Sequence, residues 1–210
     1  WGANQFGALC MGPSSTPDRR SSPIQIPGTT WDTITATLNT FLATKTDGTL
    51  WSWGNNEYGA LGLNQGTSGS TNSRSSPTQI SGTTWAPGHN KIAMTEQDNG
   101  FAIKTDGSLW AWGYNSGVAA GLLGLGDSTP RSSPTQVGTD TTWNIIASTD
   151  TSTYAIKTDG SLWAWGDGYN GRLGQNQEST DYSSPKQIGT NTNWVQIGTS
   201  MDTAHFISQQ

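Results

Sequence analysis

The chain has 210 residues and a formal charge of −5 at pH 7, from 15 acidic against 10 basic side chains. No Lys/Arg cluster stands anywhere in it, which argues against nucleic acid or an anionic membrane surface as a partner, and no apolar run approaches the roughly 20 residues of a membrane span. Leu, Ile, Val and Phe together make up only about 15%, but 11 tryptophans, each able to bury on the order of 200 Å², supply the apolar area for a core.

In chain order, Trp1-Gly2 opens a Gly-rich segment that contains Cys10, the one cysteine. A single thiol excludes an internal disulfide and a thiolate zinc cage, and is read as a small buried or half-buried side chain. Arg20 precedes Ser21-Ser22-Pro23, a short run ends in Gln25-Ile26, and a lone Trp31 follows. Lys45-Thr46-Asp47-Gly48-Thr49-Leu50-Trp51-Ser52-Trp53-Gly54 then closes the first unit. The last stretch returns at Lys104 to Gly113 and Lys157 to Gly166, Ser-Ser-Pro at Ser75, Ser132 and Ser183, and the lone Trp at Trp85, Trp143 and Trp194. The Trp-Gly pairs at Trp1, Trp53, Trp112 and Trp165 are 52, 59 and 53 residues apart. The approximate repeats are therefore 1–52, 53–111, 112–164 and 165–210, the last incomplete, in one segment spanning 1–210.

Each repeat reads as four short strands. Tyr154 to Thr158 alternates, Asp159-Gly160 turns, and Ser161 to Gly166 alternates back, the pattern of a hairpin with a type I′ turn. Period two places Trp163 and Trp165 on one face and Leu162, Ala164 and Gly166 on the other. Both faces are apolar, as in a sheet held between two neighbours, with Ser52, Ala111 and Ala164 leaving room for bulk from the next sheet. Trp51, Trp110 and Trp163 are expected to be buried between sheets. A third strand runs around the lone Trp, and a fourth follows Ser-Ser-Pro. Units of about 50 residues without helical periodicity predict an all-β fold, a β-propeller of four-stranded blades with about four blades present. A β-solenoid is the alternative.

Trp53-Gly54-Asn55-Asn56-Glu57-Tyr58-Gly59-Ala60-Leu61-Gly62, the later Ser-Ser-Pro, and Ala-Ile-Lys-Thr-Asp-Gly-x-Leu-Trp-x-Trp-Gly resemble the repeat of the regulator-of-chromosome-condensation family. The style is closest to bacterial and phage members. The resemblance implies a β-propeller, usually of seven blades, and a family that includes exchange factors for small GTPases and a β-lactamase inhibitor. This chain departs from the pattern in having about four repeats, an insertion at Ser116 to Leu123, and no Gly-x-x-His-Ser stretch. An open arc of blades is expected to expose two apolar sheet faces, and a larger parent chain is the expected way of covering them; self-pairing and a closed small ring are the alternatives.

No catalytic constellation, metal site or cofactor motif emerges. Glycine-rich Gly121 to Gly126 has the wrong order for a dinucleotide loop. His89 reads as a solvated loop residue, and His205 as a packed or half-buried ring in the register of Leu42, Phe101 and Tyr154. Asp47, Asp106 and Asp159 are explained by the turn, and Arg20, Arg74 and Arg131 by pairing with a loop acid or a carbonyl. Variation concentrates before Ser-Ser-Pro and after Trp-Gly. Loop tyrosines with polar neighbours suit adaptable contacts, so Glu57, Tyr58, Tyr114, Asp167 and Tyr169 are the candidate binding residues. The expected function is a non-catalytic protein-binding or structural module of a larger bacterial or phage protein, with a lean towards a virion, fibre or cell-surface setting. A regulatory propeller acting as exchange factor or inhibitor, and a lectin-like glycan binder, are the alternatives.

Overall fold

The computed structural model describes residues 1–11, 19–66, 72–117, 121–200 and 203–209. Parts of the Met11–Arg20 and Leu63–Arg74 loops, part of the Ser116–Leu123 insertion, and Gln210 lie outside them.

A short pair, β1 (Gly2–Ala3) and β2 (Arg19–Arg20), comes first. Three antiparallel four-stranded sheets follow. The first is β3 (Trp31–Ala36), β4 (Thr40–Lys45), β5 (Leu50–Gly54) and β6 (Arg74–Ile80). The second is β7 (Ile92–Thr95), β8 (Asn99–Ile103), β9 (Leu109–Gly113) and β10 (Arg131–Gln136). The third is β11 (Trp143–Ser148), β12 (Ser152–Lys157), β13 (Leu162–Gly166) and β14 (Tyr182–Gln187). A final pair, β15 (Trp194–Thr199) and β16 (Ala204–Ser208), repeats the first two strands of a sheet. The ends of β3, β7, β11 and β15 converge on one polar cavity of about 140 Å³, lined by Thr37, Glu96, Asp150 and Ser200 among others. This is the meander of propeller blades around an axis, in an open arc.

The Lys-Thr-Asp-Gly turn differs from the expected type I′. Only Gly48, Gly107 and Gly160 are left-handed there (φ 78°, 80° and 78°), not the aspartates. Gly48 N–H donates to Lys45 C=O at 3.1 Å and Lys45 N–H to Thr49 C=O at 3.0 Å, which makes a three-residue loop ending in a left-handed glycine. The aspartate is nevertheless a turn residue. Asp47 Oδ1 accepts from Thr49 N–H at 3.0 Å and from its hydroxyl at 2.6 Å, and Asp106 and Asp159 do the same with Ser108 and Ser161.

The fourth strand does not follow Ser-Ser-Pro but contains it. β6, β10 and β14 begin one residue before the first serine, and their pairing shifts register across the motif. A proline removes a ladder donor, so an edge strand with a bulge is where it fits. Arg131 at the start of β10 pairs with Asp127 at 2.6 Å, and Arg74 donates to the carbonyls of Asn72 and Ser73.

The core lies between sheets. Leu42, Leu50 and Ile80 of the first sheet meet Trp85, Ile92, Met94 and Trp112. Phe101, Ile103 and Leu109 of the second meet Trp143, Ile146 and Trp165. Tyr154, Ile156 and Leu162 of the third meet Ile197, Trp194 and Phe206. The two tryptophans of each Leu-Trp-x-Trp strand share a face, as Trp163 and Trp165 both pack edge-on against Trp143. Their depths differ, and here the sequence expectation is corrected. Trp53, Trp112 and Trp165 are fully buried, whereas Trp51, Trp110 and Trp163 are only half-buried. The shallower rings donate from Nε1 to the turn hydroxyls of Thr49, Ser108 and Ser161, close to the sheet's outer rim.

The segment after each Trp-Gly reaches over to the next sheet. Asn4, Asn56 and Asn115 hold it by accepting the N–H of Leu9, Leu61 and Leu123 at 2.9, 3.0 and 3.2 Å. The carbonyls of Ala8, Ala60 and Leu122 then accept Nε1–H from Trp53, Trp112 and Trp165 of the following sheet at 3.1, 2.9 and 2.9 Å. Gly59 sits so close to β10 that a Cβ on it would lie 2.6 Å from Ser132 Cα, and its φ is 82°. The glycine and the serine of the two motifs are thus halves of one contact.

Candidate functional site

The loops after Trp-Gly carry the candidate residues at one end of the sheets. Glu57 and Tyr58 lie on a short 3-10 turn, Glu57–Gly59, in which Tyr58 is left-handed (φ 56°). That turn carries Tyr58 from the first sheet towards the second, where it meets Tyr114 with ring centroids 4.4 Å apart. Both rings are half-buried. The Glu57 carboxylate beside it, with partial burial and the nearby Tyr114 and Asp98, raises the Tyr58 phenol above its ordinary value.

Asp98, in the β7–β8 turn, was not singled out from the sequence, and it belongs here. It is left-handed (φ 60°), and burial, with the Glu57 charge beside it, pushes its carboxyl up to about 6. Asn99 follows it, fully buried, with neither amide atom partnered among the described residues. Thr40 and Ser152, its counterparts, donate to the first loop carbonyl, Asn55 at 3.2 Å and Asp167 at 2.8 Å. The only signal for Asp98 in the sequence is its place in a hairpin turn between two apolar strands.

Asp167 and Tyr169 belong to a second cluster one blade on. Asp167 pairs with Arg172 at 3.3 Å and accepts from Thr151 Oγ1 at 3.2 Å, and Arg172 lies over the Tyr169 ring at 5.9 Å. Tyr169 is 58% exposed. The expected set therefore divides: Glu57, Tyr58 and Tyr114 come together around Asp98, and Asp167 and Tyr169 around Arg172.

Other side chains singled out earlier carry no chemistry of this kind. Cys10 is half-buried and its thiol is pushed up to about 12 by burial, which keeps it protonated and unreactive. His89 is exposed in its loop. His205 is exposed too, contrary to the packed or half-buried ring expected from its register, because among the described residues no sheet lies over that side of β16. Among the described residues no group of three or more His, Cys, Asp or Glu side chains is placed to hold a metal ion, and no helix is long and apolar enough to cross a membrane.

Residues 47–87 and 159–201 match the regulator of chromosome condensation (RCC1) repeat, and residues 31–60 match a second profile of the same repeat. These segments of the chain carry RCC1 repeats. The human probable E3 ubiquitin-protein ligase HERC3 is 28% identical over 151 residues, 70% of this chain and 13% of HERC3. The regulator of chromosome condensation of Xenopus laevis is 40% identical over 77 residues, 36% of this chain and 18% of that protein. The chain thus spans less than a fifth of these two relatives. Prp20p of Saccharomyces cerevisiae superposes on 100% of the chain with a TM-score of 0.74 at 18% identity, and 51% of Prp20p is covered. That likeness establishes the fold, part of a β-propeller.

Proposed function

We propose that these RCC1 repeats form a non-catalytic protein-binding module, and that its contact surface is the loop face made by Glu57, Tyr58, Asp98 and Tyr114. The observation that carries this is the meeting of Tyr58 and Tyr114 at 4.4 Å, from loops of successive sheets. Two amphipathic rings flanked by carboxylates suit a basic side chain on a partner, through the ring faces and charge complementarity together. The partners named for Prp20p, Gsp1p and histones, are proteins, which favours a protein over a small molecule. A parent protein of bacterial or phage origin, at a virion, fibre or cell surface, is the setting that the Ser-, Thr-, Asn- and Gly-rich composition supports.

A photo-crosslinking residue at Tyr58 or Tyr114 tests the face. The expected result is a discrete adduct with a basic protein in extracts of the source, lost when Glu57→Gln and Asp98→Asn are combined. The same residue at Leu38, which is 80% exposed, is the control. Equal adduct yield from all three positions overturns the assignment. The regulatory reading is separated from this one by nucleotide release: acceleration of release from a small GTPase would make the module an exchange factor.

A further inference from the structure

Each complete sheet places a lysine ammonium over two indoles. Lys45 Nζ lies 4.7 and 4.2 Å from the ring centroids of Trp31 and Trp51. Lys104 Nζ lies 4.9 and 3.8 Å from Trp85 and Trp110, and Lys157 Nζ 4.6 and 3.9 Å from Trp143 and Trp163. At Lys157 the arrangement has a third member: the Asp140 carboxylate takes the ammonium at 2.7 Å. Asp140 stands in the five-residue connection 138–142 that leads to Trp143. The connection to Trp85 is one residue shorter, Ser81-Gly82-Thr83-Thr84, and contains no acid. The Ser108 hydrogen bonds, helped by the Lys104 charge, hold the Asp106 carboxyl below its ordinary value, but its Oδ1 is held by the backbone and hydroxyl of Ser108 and it makes no ion pair with the ammonium. Among the described residues Lys104 has neither an ion pair nor a hydrogen-bond acceptor for its ammonium.

The space beside Lys104 is open. A cavity of about 300 Å³ between the first two complete sheets is lined by Asn64, Gln79, Ser81, Trp85, Lys104 and Trp110, among others. Its size is at the low end of the roughly 300–1,000 Å³ of ligand pockets, enough for a single ring and its substituents. Its lining combines a half-buried indole, an ammonium, two amides and hydroxyls. An indole takes the C–H face of a ring, and neutral amides and hydroxyls pair with ligand hydroxyls as both donors and acceptors.

We propose that this cavity binds an acidic monosaccharide, with the carboxylate held by Lys104 as Asp140 is held by Lys157, and the sugar ring against Trp110. A peptide carboxylate would satisfy the lysine too, but a sugar ring adds a C–H face for the indole and several hydroxyls that both donate and accept, and so uses more of the lining. The site lies between sheets, uses none of the loop-face residues, and stands whether or not that face binds a protein.

The test is a titration of the protein with methyl glucuronide, followed by its indole N–H NMR signals. Methyl glucoside serves as the neutral isostere and N-acetylaspartate amide as the peptide-like acid. The glucuronide is expected to shift the Trp110 signal saturably and to bind about tenfold more tightly than the glucoside. Lys104→Met should remove that advantage. Ser81→Asp, which supplies a carboxylate from the protein's own chain, should weaken glucuronide binding as well; thermal unfolding checks that both variants are folded. Equal binding of glucuronide and glucoside, binding retained in Lys104→Met, or no saturable shift overturns the proposal. Tighter binding of N-acetylaspartate amide than of glucuronide overturns the assignment to a sugar.

Discussion

An isoleucine stands at the same register position in the inner strand of each sheet, and its surroundings differ between the middle of the arc and its ends. Ile92, Ile146 and Ile197 are 6%, 1% and 6% exposed, whereas Ile34 on the first complete sheet is 54% exposed. The opposite faces show the converse. Ile103 and Ile156 are 2% and 1% exposed, and Ile207 on the last pair of strands is 55% exposed. The isoleucine pairs with the next strand in an equivalent way in all four inner strands, so burial here is conferred by the neighbouring sheet and not by the strand. A single sheet of this kind is a two-sided apolar layer whose stability resides in its contacts with the sheets before and after it.

Removing a ring from a middle interface should have the largest effect. Trp112 is fully buried and donates to Ala60, so Trp112→Ala should cost about 3–5 kcal/mol in urea unfolding. Trp31, half-buried on the uncovered face, should cost less than half of that. Equal losses would mean that the end face is covered in solution.

The next effect is electrostatic and of opposite sign. The Asp98 carboxyl stands at about 6 in the folded protein against 3.8 ordinarily. The folded state therefore holds this proton more tightly than the unfolded chain, and from about pH 4 to pH 6 stability falls as pH rises. Above pH 6 the destabilisation is complete, on the order of 2–3 kcal/mol. Asp98→Asn should thus raise stability at pH 7.5 by about 2 kcal/mol and make little difference at pH 4. A variant equally stable or less stable at pH 7.5 would show that the carboxylate is already compensated.

The smallest effect sharpens the comparison of ends with middle. Ile34→Thr should change unfolding free energy by no more than about 0.5 kcal/mol, whereas Ile146→Thr, at the equivalent place inside, should be strongly destabilising. Similar losses at both positions would place a partner sheet over Ile34.

Much of this was legible in the residues. Period-two alternation located the strands around Tyr154 to Gly166, and the recurring markers gave a propeller, because each is a local requirement of turn, strand or contact. Alternation gives the face of a side chain and not its depth, so the half-buried Trp51, Trp110 and Trp163 could not be told from the buried Trp53, Trp112 and Trp165. His205 failed for the same reason: its register is that of Tyr154, but its neighbour is not. Within the proposed binding face, loop composition pointed to Tyr58 and Tyr114. Asp98 gave no such signal, since its carboxyl is perturbed by burial and by the Glu57 charge from another sheet, surroundings that only folding creates.

The segment from Gly59 to Leu61 belongs to one sheet by sequence and to the next by contact, with Gly59 on Ser132 and Ala60 under Trp112. A tandem duplication that copies one period, 52 to 59 residues here, carries both halves of that joint wherever the breakpoints fall. Such a unit can be added to the array or lost from it without leaving a mismatched seam. Blade number in proteins made this way is then limited by the geometry of closing the ring, and the sequence of any one repeat contains no count.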